Sequence, residues 1–494
     1  MFSAYSNNFI FFSCISAEIF LLLSLLLLVY FFYSNIILTK FHFLLTLAGT
    51  FFFSLTSLIF VTCVVNPIDA LWENPFQFAM TYIVLIYKVY SYSFNIVLSR
   101  MLVLMFSFFI LYLYNDDNVV RFSKISLLVL WLDFFILILF GVTDFFVLFI
   151  VLEIIAIISV VFIVIGSYAK EIYNALLYFF LNIVFGGLFL IGLWFLYTEY
   201  HTLSFFGIQK HILLDNNSVS IGFLFICFAF FFKLGAAPFH FWTLDIYEKL
   251  ILPVFLIFNI VLKLAIFIVF FKILVLFQVT TNSTIMTAFL FVSILSLFFG
   301  IISPLIETRF YRVMLYSSLY ILGFSLLPVV YPFFGGHVPS IHFFLSYLFI
   351  FFFFFLQLLP ITQTLNYFLL KFNTDLGLLL KQTKYPIGLL YLTFFNMSAI
   401  PPFLLFWYKA NLFMTFLSNF NLIFVFVLLT LSVISTFIYF RFVKLLATDF
   451  FIQDFVMLFH IKKNFKNFLI FIFFLLFPYF ITYFTIFYSA SLFF

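Results

Sequence analysis

Apolar runs of about twenty residues recur from one end of this chain to the other, with short polar breaks between them. An α-helix rises about 1.5 Å per residue, so a run of that length crosses a hydrocarbon layer about 30 Å thick. The alternation that would build a membrane barrel is absent. The spanning elements are therefore helices, which satisfy their backbone groups within the segment. Of the 494 residues 67% are hydrophobic and 8% charged, whereas a soluble domain carries about 25% charged residues. No soluble domain of any size can be cut from such a chain. The expected fold class is an all-α polytopic membrane protein with about fourteen transmembrane helices.

The first three spans fall at roughly 9–33, 43–65 and 93–114, with a long polar-interrupted loop, 66–92, before the third. Two more, about 122–140 and 143–166, are joined by the tight turn Gly141-Val-Thr-Asp144, where Asp144 is suited to cap the fifth span. The sixth, about 172–197, leads into a loop carrying Glu199, His201, Lys210, His211 and Asp215. Spans seven to eleven are expected at about 219–241, 251–275, 284–304, 311–332 and 340–360. Residues 369–385 mix apolar and basic side chains and read as an amphipathic surface helix. Span twelve, about 387–418, is broken at Ile400-Pro401-Pro402, and the last two spans are about 421–440 and 467–492.

Charge sets the orientation. Of the 22 Lys and Arg, 15 fall in loops that follow odd-numbered spans. Three (Lys88, Lys210, Lys272) fall at the other ends, and four (Arg100, Lys233, Lys263, Lys409) lie within spans. The odd loops then face the matrix or cytoplasm, and both termini face outward.

Phe occurs 93 times. It can replace Leu on a lipid-facing surface at little cost, and its excess points to an AT-rich, organelle-type genome. The three cysteines (Cys14, Cys63, Cys227) lie in separate apolar segments without metal or cluster spacing and read as small buried hydrophobes. No cleavable signal or Arg-rich transit peptide is evident. Phosphate loops, nucleotide fingerprints and nucleophile triads are missing, and no nucleic-acid partner is expected.

Against this background the charges inside spans carry the most information. Lys233 follows Phe-Ala-Phe-Phe-Phe, and Lys263 lies ten residues past Pro253, about 15 Å along a helix. A lysine at that depth costs roughly 2.5 kcal/mol or more and marks a functional site by default. Glu153 lies nine residues past Asp144, about 13 Å deep. Burial disfavours a lysine's charged form and a nearby carboxylate restores it. Moving such a partner toward or away from the lysine would switch it between holding and releasing a proton. The alternative is a structural ion pair that fixes helix packing, although Glu153, Lys233, Lys263 and Lys409 are more groups than packing needs.

Prolines accompany two of the lysines. Pro238 cannot donate to the carbonyl of Leu234, which frees that carbonyl beside Lys233 and leaves room for water. Pro401 and Pro402 do the same near Lys409. Ala236-Ala-Pro-Phe-His-Phe-Trp242 echoes Ala399-Ile-Pro-Pro-Phe-Leu-Leu-Phe-Trp407 at an offset of five spans, so the copies would be inverted. That is the pattern of transporters with broken helices. His240 reads more readily as a packed or hydrated histidine than as a ligand. Asp133 and Arg100 either pair with neighbours or snorkel, and Glu18 is interfacial. The histidines form no metal or haem pair.

The stretch Phe232-Lys-Leu-Gly-Ala-Ala-Pro-Phe-His-Phe-Trp-Thr-Leu-Asp-Ile-Tyr-Glu248 resembles the signature of the subunit 2 family of proton-pumping NADH:quinone oxidoreductase, respiratory complex I. Further similar stretches follow in order: Asp144 to Glu153, Pro253 to Lys263, Arg312-Val-Met-Leu-Tyr-Ser-Ser318, Ser398-Ala-Ile-Pro-Pro-Phe with Lys409, and Val433 to Arg441. The resemblance implies an antiporter-like fold with two inverted five-helix repeats and broken helices in spans seven and twelve. It divides the chain into a three-helix segment (1–115), a first repeat (122–275), a second repeat (284–445) and a C-terminal loop and helix (446–494).

The same resemblance makes Glu153 the proton-transfer glutamate. Lys233 becomes the lysine of the first broken helix, Lys263 the connecting lysine and Lys409 the lysine of the second broken helix. It implies a proton-translocating subunit that binds no cofactor, with flavin and iron–sulfur clusters in other subunits. The partners it implies are a neighbouring antiporter-like subunit, small core membrane subunits and lipids. The location it implies is the mitochondrial inner membrane, with organelle coding and both termini on the intermembrane-space side. Departures are Tyr311 in place of a basic residue, Ile321 where the family often has His, and Lys249-Leu-Ile-Leu before Pro253. Two rival readings remain: a cation/proton antiporter subunit, and a structural membrane-arm subunit without its own proton path.

Overall fold

The structure is a computed structural model that describes residues 19–26, 46, 48–50, 94–113, 119–166, 172–215, 221–276, 283–330, 394–395, 397–401, 404–418 and 422–447. The loop at 66–92, the eleventh and fourteenth spans and the surface helix at 369–385 lie outside the described residues, as does most of the first two spans. Among the described residues six helices are long and apolar enough to cross a membrane. Together with the apolar faces described below, this establishes a mostly helical membrane protein.

The described helices are α1 (Phe94–Leu113), α2 (Val119–Gly141), α3 (Phe145–Gly166), α4 (Ile172–Tyr200), α5 (Phe205–Asp215), α6 (Ile221–Leu234) and α7 (Phe241–Tyr247). A composite span follows: α8 (Leu252–Leu256), a π-helical segment (Ile257–Leu262) and α9 (Lys263–Leu276). Then come α10 (Ser283–Ile306), α11 (Phe310–Val330), α12 (Leu404–Ser418) and α13 (Leu422–Ala447). Two compact units divide them. The first comprises the chain to Leu234 together with Asp245–Phe277, and the second comprises Gly235–Leu244 together with the chain from Gln278.

In the first unit, α2 packs on α3, α3 on α4, and α4 on α6. The α4–α6 crossing is close because both helices carry glycine there. A Cβ on Gly192 would sit 2.7 Å from the Gly222 carbonyl oxygen, and one on Gly222 would sit 2.7 Å from the Gly192 carbonyl oxygen. Such small-residue contacts let helix backbones approach when lipid supplies no hydrophobic drive. Phe185 of α4 stacks on Phe232 of α6 with ring centroids 4.0 Å apart. Phe is therefore core material here as well as a lipid-facing residue: Phe145, Phe162, Phe189 and Phe230 are all buried.

The turn between α2 and α3 is held from several directions. Phe145 donates its N–H to the Leu203 carbonyl and Phe205 donates to the Thr143 carbonyl. Asp144 begins α3 through its main-chain carbonyl, which accepts from Leu148 N–H. Among the described residues no hydrogen bond of its carboxylate caps the helix, and burial pushes that carboxyl above its ordinary range. Lys272 of α9 donates to the carbonyls of Phe140 and Val142, at 3.3 and 3.0 Å. A cation at the end of α2 meets the orphan carbonyls there. The sequence reading placed Lys272 at an outer end, and the structure gives it this capping task. The loop expected after the sixth span contains the eleven-residue α5, begun by Ser204, whose hydroxyl accepts from Gly207 N–H at 3.3 Å.

In the second unit α10 and α11 are the closest pair and α13 packs on α10 and α12. Gly300 of α10 abuts the backbone of Tyr320 (Cβ to N, 2.6 Å), and Gly323 of α11 abuts Leu297 N at 2.9 Å. Large apolar side chains face outward on α3, α4 and α13, among them Ile157, Phe180, Trp194, Phe426 and Phe437. Such faces suit lipid or a neighbouring subunit.

Candidate functional site

The helix carrying Lys233 stops one residue after it. α6 ends at Leu234, and Gly235 then takes φ +68°, a left-handed conformation that glycine adopts without steric cost. A Cβ there would also sit 2.6 Å from Cγ2 of Thr243. The chain passes through Ala236–His240 as turns before α7 begins, so the break expected from Pro238 is present. The second break has the same feature: Ala399 takes φ +53° just before Ile400-Pro401. The lysines sit on opposite sides of their breaks, Lys233 before the first and Lys409 after the second.

Lys233 points between α3 and α4. Its Nζ lies 3.3 Å from Glu153 Oε1 and 3.5 Å from Asn182 Oδ1. The Lys233 side chain is 7% exposed and that of Glu153 27%. The pair is thus asymmetric, with a buried cation and a carboxylate that reaches the edge of the unit. Gly186 makes room for the acid, since a Cβ there would come within 3.0 Å of Glu153 Oε1. The hydroxyl of Tyr178 lies within hydrogen-bonding reach of Ser159 and Asn182 and close to Glu153. It is also near Tyr247.

Lys263 is 5% exposed and begins α9, where the π-helical segment gives way to α-helix. Its Nζ lies 5.6 Å from the Tyr247 ring centroid. The same unit therefore contains a succession of polar groups, Glu153, Lys233, Asn182, Tyr178, Tyr247 and Lys263, on five helices. The π-helical segment was not anticipated. Such segments are rare and occur often at functional sites, and this one carries Asn259, 1% exposed, with no partner for Oδ1 among the described residues.

Lys409 belongs to the second unit and has different company. It is 5% exposed, donates to the Tyr320 hydroxyl at 3.0 Å, and lies 5.2 Å from the Phe324 ring centroid. Among the described residues it forms no ion pair. His240, also of the second unit, is 2% exposed among the rings of Phe241, Phe299 and Tyr316. It is a packed histidine. Arg100 does not snorkel, being 2% exposed with Nη2 donating to the Leu137 carbonyl. Asp133, one turn before Leu137, is fully buried. Cys227 is a free, buried thiol.

Three of the four expected residues thus fall in one unit, two of them in direct contact, and the fourth lies in the other. Asn182, Tyr178, Tyr247, Tyr320 and Ser435 were not singled out from sequence. Tyr178 and Asn182 are four residues apart on α4 and so share a face, but nothing in the apolar run around them marks which face that is.

Comparison with known proteins bears on this arrangement. Residues 142–435 match the family described as NADH:quinone oxidoreductase/Mrp antiporter, TM. The chain is 29% identical over 254 residues to NADH-ubiquinone oxidoreductase chain 2 of Marchantia polymorpha, covering 51% of this chain and 49% of that protein. It is 28% identical over 293 residues to NADH-quinone oxidoreductase subunit N of Paramagnetospirillum magneticum, covering 57% and 59%. The chain spans about half the length of the curated relatives it matches.

Among solved structures it is similar to a chain of the archaeal membrane-bound sulfane sulfur reductase, with TM-score 0.77, 18% identity and coverage of 96% and 95%. For respiratory complex I from Thermus thermophilus the TM-score is 0.66 at 19% identity, covering 93% of this chain and 97% of that one. For the Mrp complex from Dietzia sp. DQ12-45-1b it is 0.67 at 14% identity, covering 90% and 80%. At these identities the likeness is one of fold.

Proposed function

This chain belongs to the NADH:quinone oxidoreductase/Mrp antiporter transmembrane family, which it matches over residues 142–435, and from that premise we propose that it is a proton-translocating membrane-arm subunit of NADH:ubiquinone oxidoreductase. Protons move through Glu153, Lys233, Lys263 and Lys409, driven by quinone reduction elsewhere in the complex. The observation that carries this reading is the contact of Lys233 with Glu153, 3.3 Å apart beside a broken helix. An ion pair between a buried lysine and a half-buried carboxylate is a place where charge can be loaded and released as the partner shifts.

On this reading the fold comprises about fourteen spans, with inverted repeats at 122–275 and 284–445 between a three-helix segment (1–115) and a C-terminal helix region (446–494). The chain itself carries no redox group; flavin and iron–sulfur clusters sit in partner subunits. The location is the mitochondrial inner membrane with both termini on the intermembrane-space side. The curated relatives named NADH-ubiquinone oxidoreductase chain 2 support the choice of complex.

The test is Lys233→Ala in the assembled complex. Expected is loss of proton pumping and of pumping-coupled quinone reduction, with electron entry from NADH to an artificial acceptor retained. Normal coupled activity would overturn the proposal. The likeness to the Mrp complex favours a second reading, a cation/proton antiporter subunit. Purification with partners that lack flavin and iron–sulfur clusters would decide for it.

A further inference from the structure

Unlike Lys233, which meets a carboxylate and an amide, Lys409 has a phenol hydroxyl as its hydrogen-bond partner. It is held by a line of hydroxyls on two helices. Tyr320 OH lies 3.0 Å from Lys409 Nζ and 2.9 Å from Ser435 Oγ, and Ser435 in turn donates to the Ser432 carbonyl at 2.6 Å. The Lys409 Nζ is also 4.9 Å from the Tyr320 ring centroid. With the hydroxyl itself at 3.0 Å, the ammonium approaches the oxygen rather than the ring face. The hydrogen bond is therefore the primary contact, with Phe324 supplying a separate aromatic neighbour.

Tyr320 and Ser435 are 1% exposed. The backbone of Tyr320 packs closely against Gly300. One turn further on α13, Tyr439 reaches Ser317 of α11, so the α11–α13 contact is lined by hydroxyls. The family that the sequence resembles often has a histidine where this chain has Ile321, and here the neighbouring Tyr320 supplies a polar group.

We infer that Tyr320, oriented by Ser435, is the positioning residue that holds Lys409 in both of its protonation states. An ammonium can only donate, so the Tyr320 oxygen accepts from it while the phenol O–H donates to Ser435 Oγ and Ser435 O–H donates to the Ser432 carbonyl. A neutral amine has a lone pair. When Lys409 gives up its proton to water in the path, the phenol O–H turns to donate to Nζ and Ser435 O–H turns to donate to the Tyr320 oxygen. No covalent bond of Tyr320 or Ser435 changes. A hydroxyl can serve both states in this way, whereas a carboxylate favours only the charged one.

This inference rests on the reading that Lys409 exchanges protons. Its test uses Tyr320→Phe, Ser435→Ala, the double variant and Lys409→Ala in the assembled complex. The measurements are proton pumping per NADH oxidised and the amount assembled. Tyr320→Phe keeps the ring and its packing, so assembly is retained while pumping falls by roughly tenfold to a hundredfold, the loss of one hydrogen bond to a charged group. Ser435→Ala gives a smaller loss, and adding it to Tyr320→Phe changes nothing further, because Ser435 acts only through the phenol.

A role for the two residues in packing alone would give additive losses of assembly and leave pumping per complex unchanged, and that result overturns the inference. If Tyr320→Phe does not assemble, Ser435→Ala decides alone, and unchanged pumping in it counts against the idea. Normal pumping in Tyr320→Phe with none in Lys409→Ala refutes this inference only. Normal pumping in Lys409→Ala refutes the role assigned to that lysine in the row.

Discussion

Replacing Glu153 with Gln removes one charge and little else. The carboxamide is of similar size and keeps an oxygen that can accept from Lys233, so the 3.3 Å contact can persist as a hydrogen bond. What is lost is the attraction between unit charges, about 5 kcal/mol at that distance with an effective dielectric of 20 and about 1.3 kcal/mol in water. Lys233 is nearly dry and Glu153 about a quarter exposed, so a value between the two, roughly 3 kcal/mol, applies. Each 1.4 kcal/mol is about a factor of ten, so a step that depends on the pair should slow by roughly a hundredfold. The assay is proton uptake into vesicles containing the assembled complex, normalised to NADH oxidation with an artificial acceptor. Glu153→Asp keeps the charge but withdraws it, and should fall between wild type and Glu153→Gln. If Glu153→Gln assembles and pumps like wild type, the charge of the pair has no part in transfer and the argument from its geometry fails.

Lys272→Met removes two hydrogen bonds to carbonyls at the end of α2, and should destabilise the subunit by about 1.5–3 kcal/mol; less complex assembles, but pumping per assembled complex is unchanged. Gly235→Ala forces a side chain into φ +68° and against Thr243 Cγ2, at about 1–2 kcal/mol for the backbone alone. Adding Thr243→Ser, which deletes that methyl, should recover part of the loss of assembled complex on native gels. Burial favours the protonated carboxyl of Asp144 in the folded state. Stability from this residue therefore declines as pH rises from the ordinary carboxylate range through the raised value, and is level above it. Asp144→Asn should raise the thermal stability of the purified assembly at neutral pH and give no gain in acid.

The helices were legible because length and apolarity are properties of a segment. The expected span at 143–166 is α3, and 311–332 is α11 to within two residues. The breaks were legible too, since Gly235 and the prolines punctuate the backbone locally. The helix α5 was missed because its Gln209, Lys210 and His211 look like loop composition, although Ser204 three residues before Gly207 was a capping signal. Apart from Glu153 beside Lys233, the partners of the lysines were not legible. In a soluble helix hydropathy has a face, and that face shows which side chains converge. Here lipid and core are equally apolar, so nothing in the runs around Asn182, Tyr178, Tyr320 or Ser435 shows which way each points. Their meeting depends on helix rotation, which the Gly192–Gly222 and Gly300–Tyr320 contacts set.

The surroundings of Lys233 and Lys409 differ in a way that their shared lysine–proline pattern conceals. A carboxylate beside Lys233 couples it to charge: Glu153 reaches the edge of its unit, so a field from outside acts on the acid and through it on the lysine. Lys409 has no such partner among the described residues. Its neighbours are a phenol, a serine behind the phenol and a phenyl ring. Hydroxyls reorient but do not carry charge at ordinary pH, so they accommodate whichever state the lysine takes without imposing one. Of the two, and among the described residues, only the Lys233 site contains a carboxylate on which outside charge can act. The Lys409 site is built to follow, and a change that gave it a carboxylate, such as Ser435→Asp, would fix its lysine as an ammonium rather than improve it.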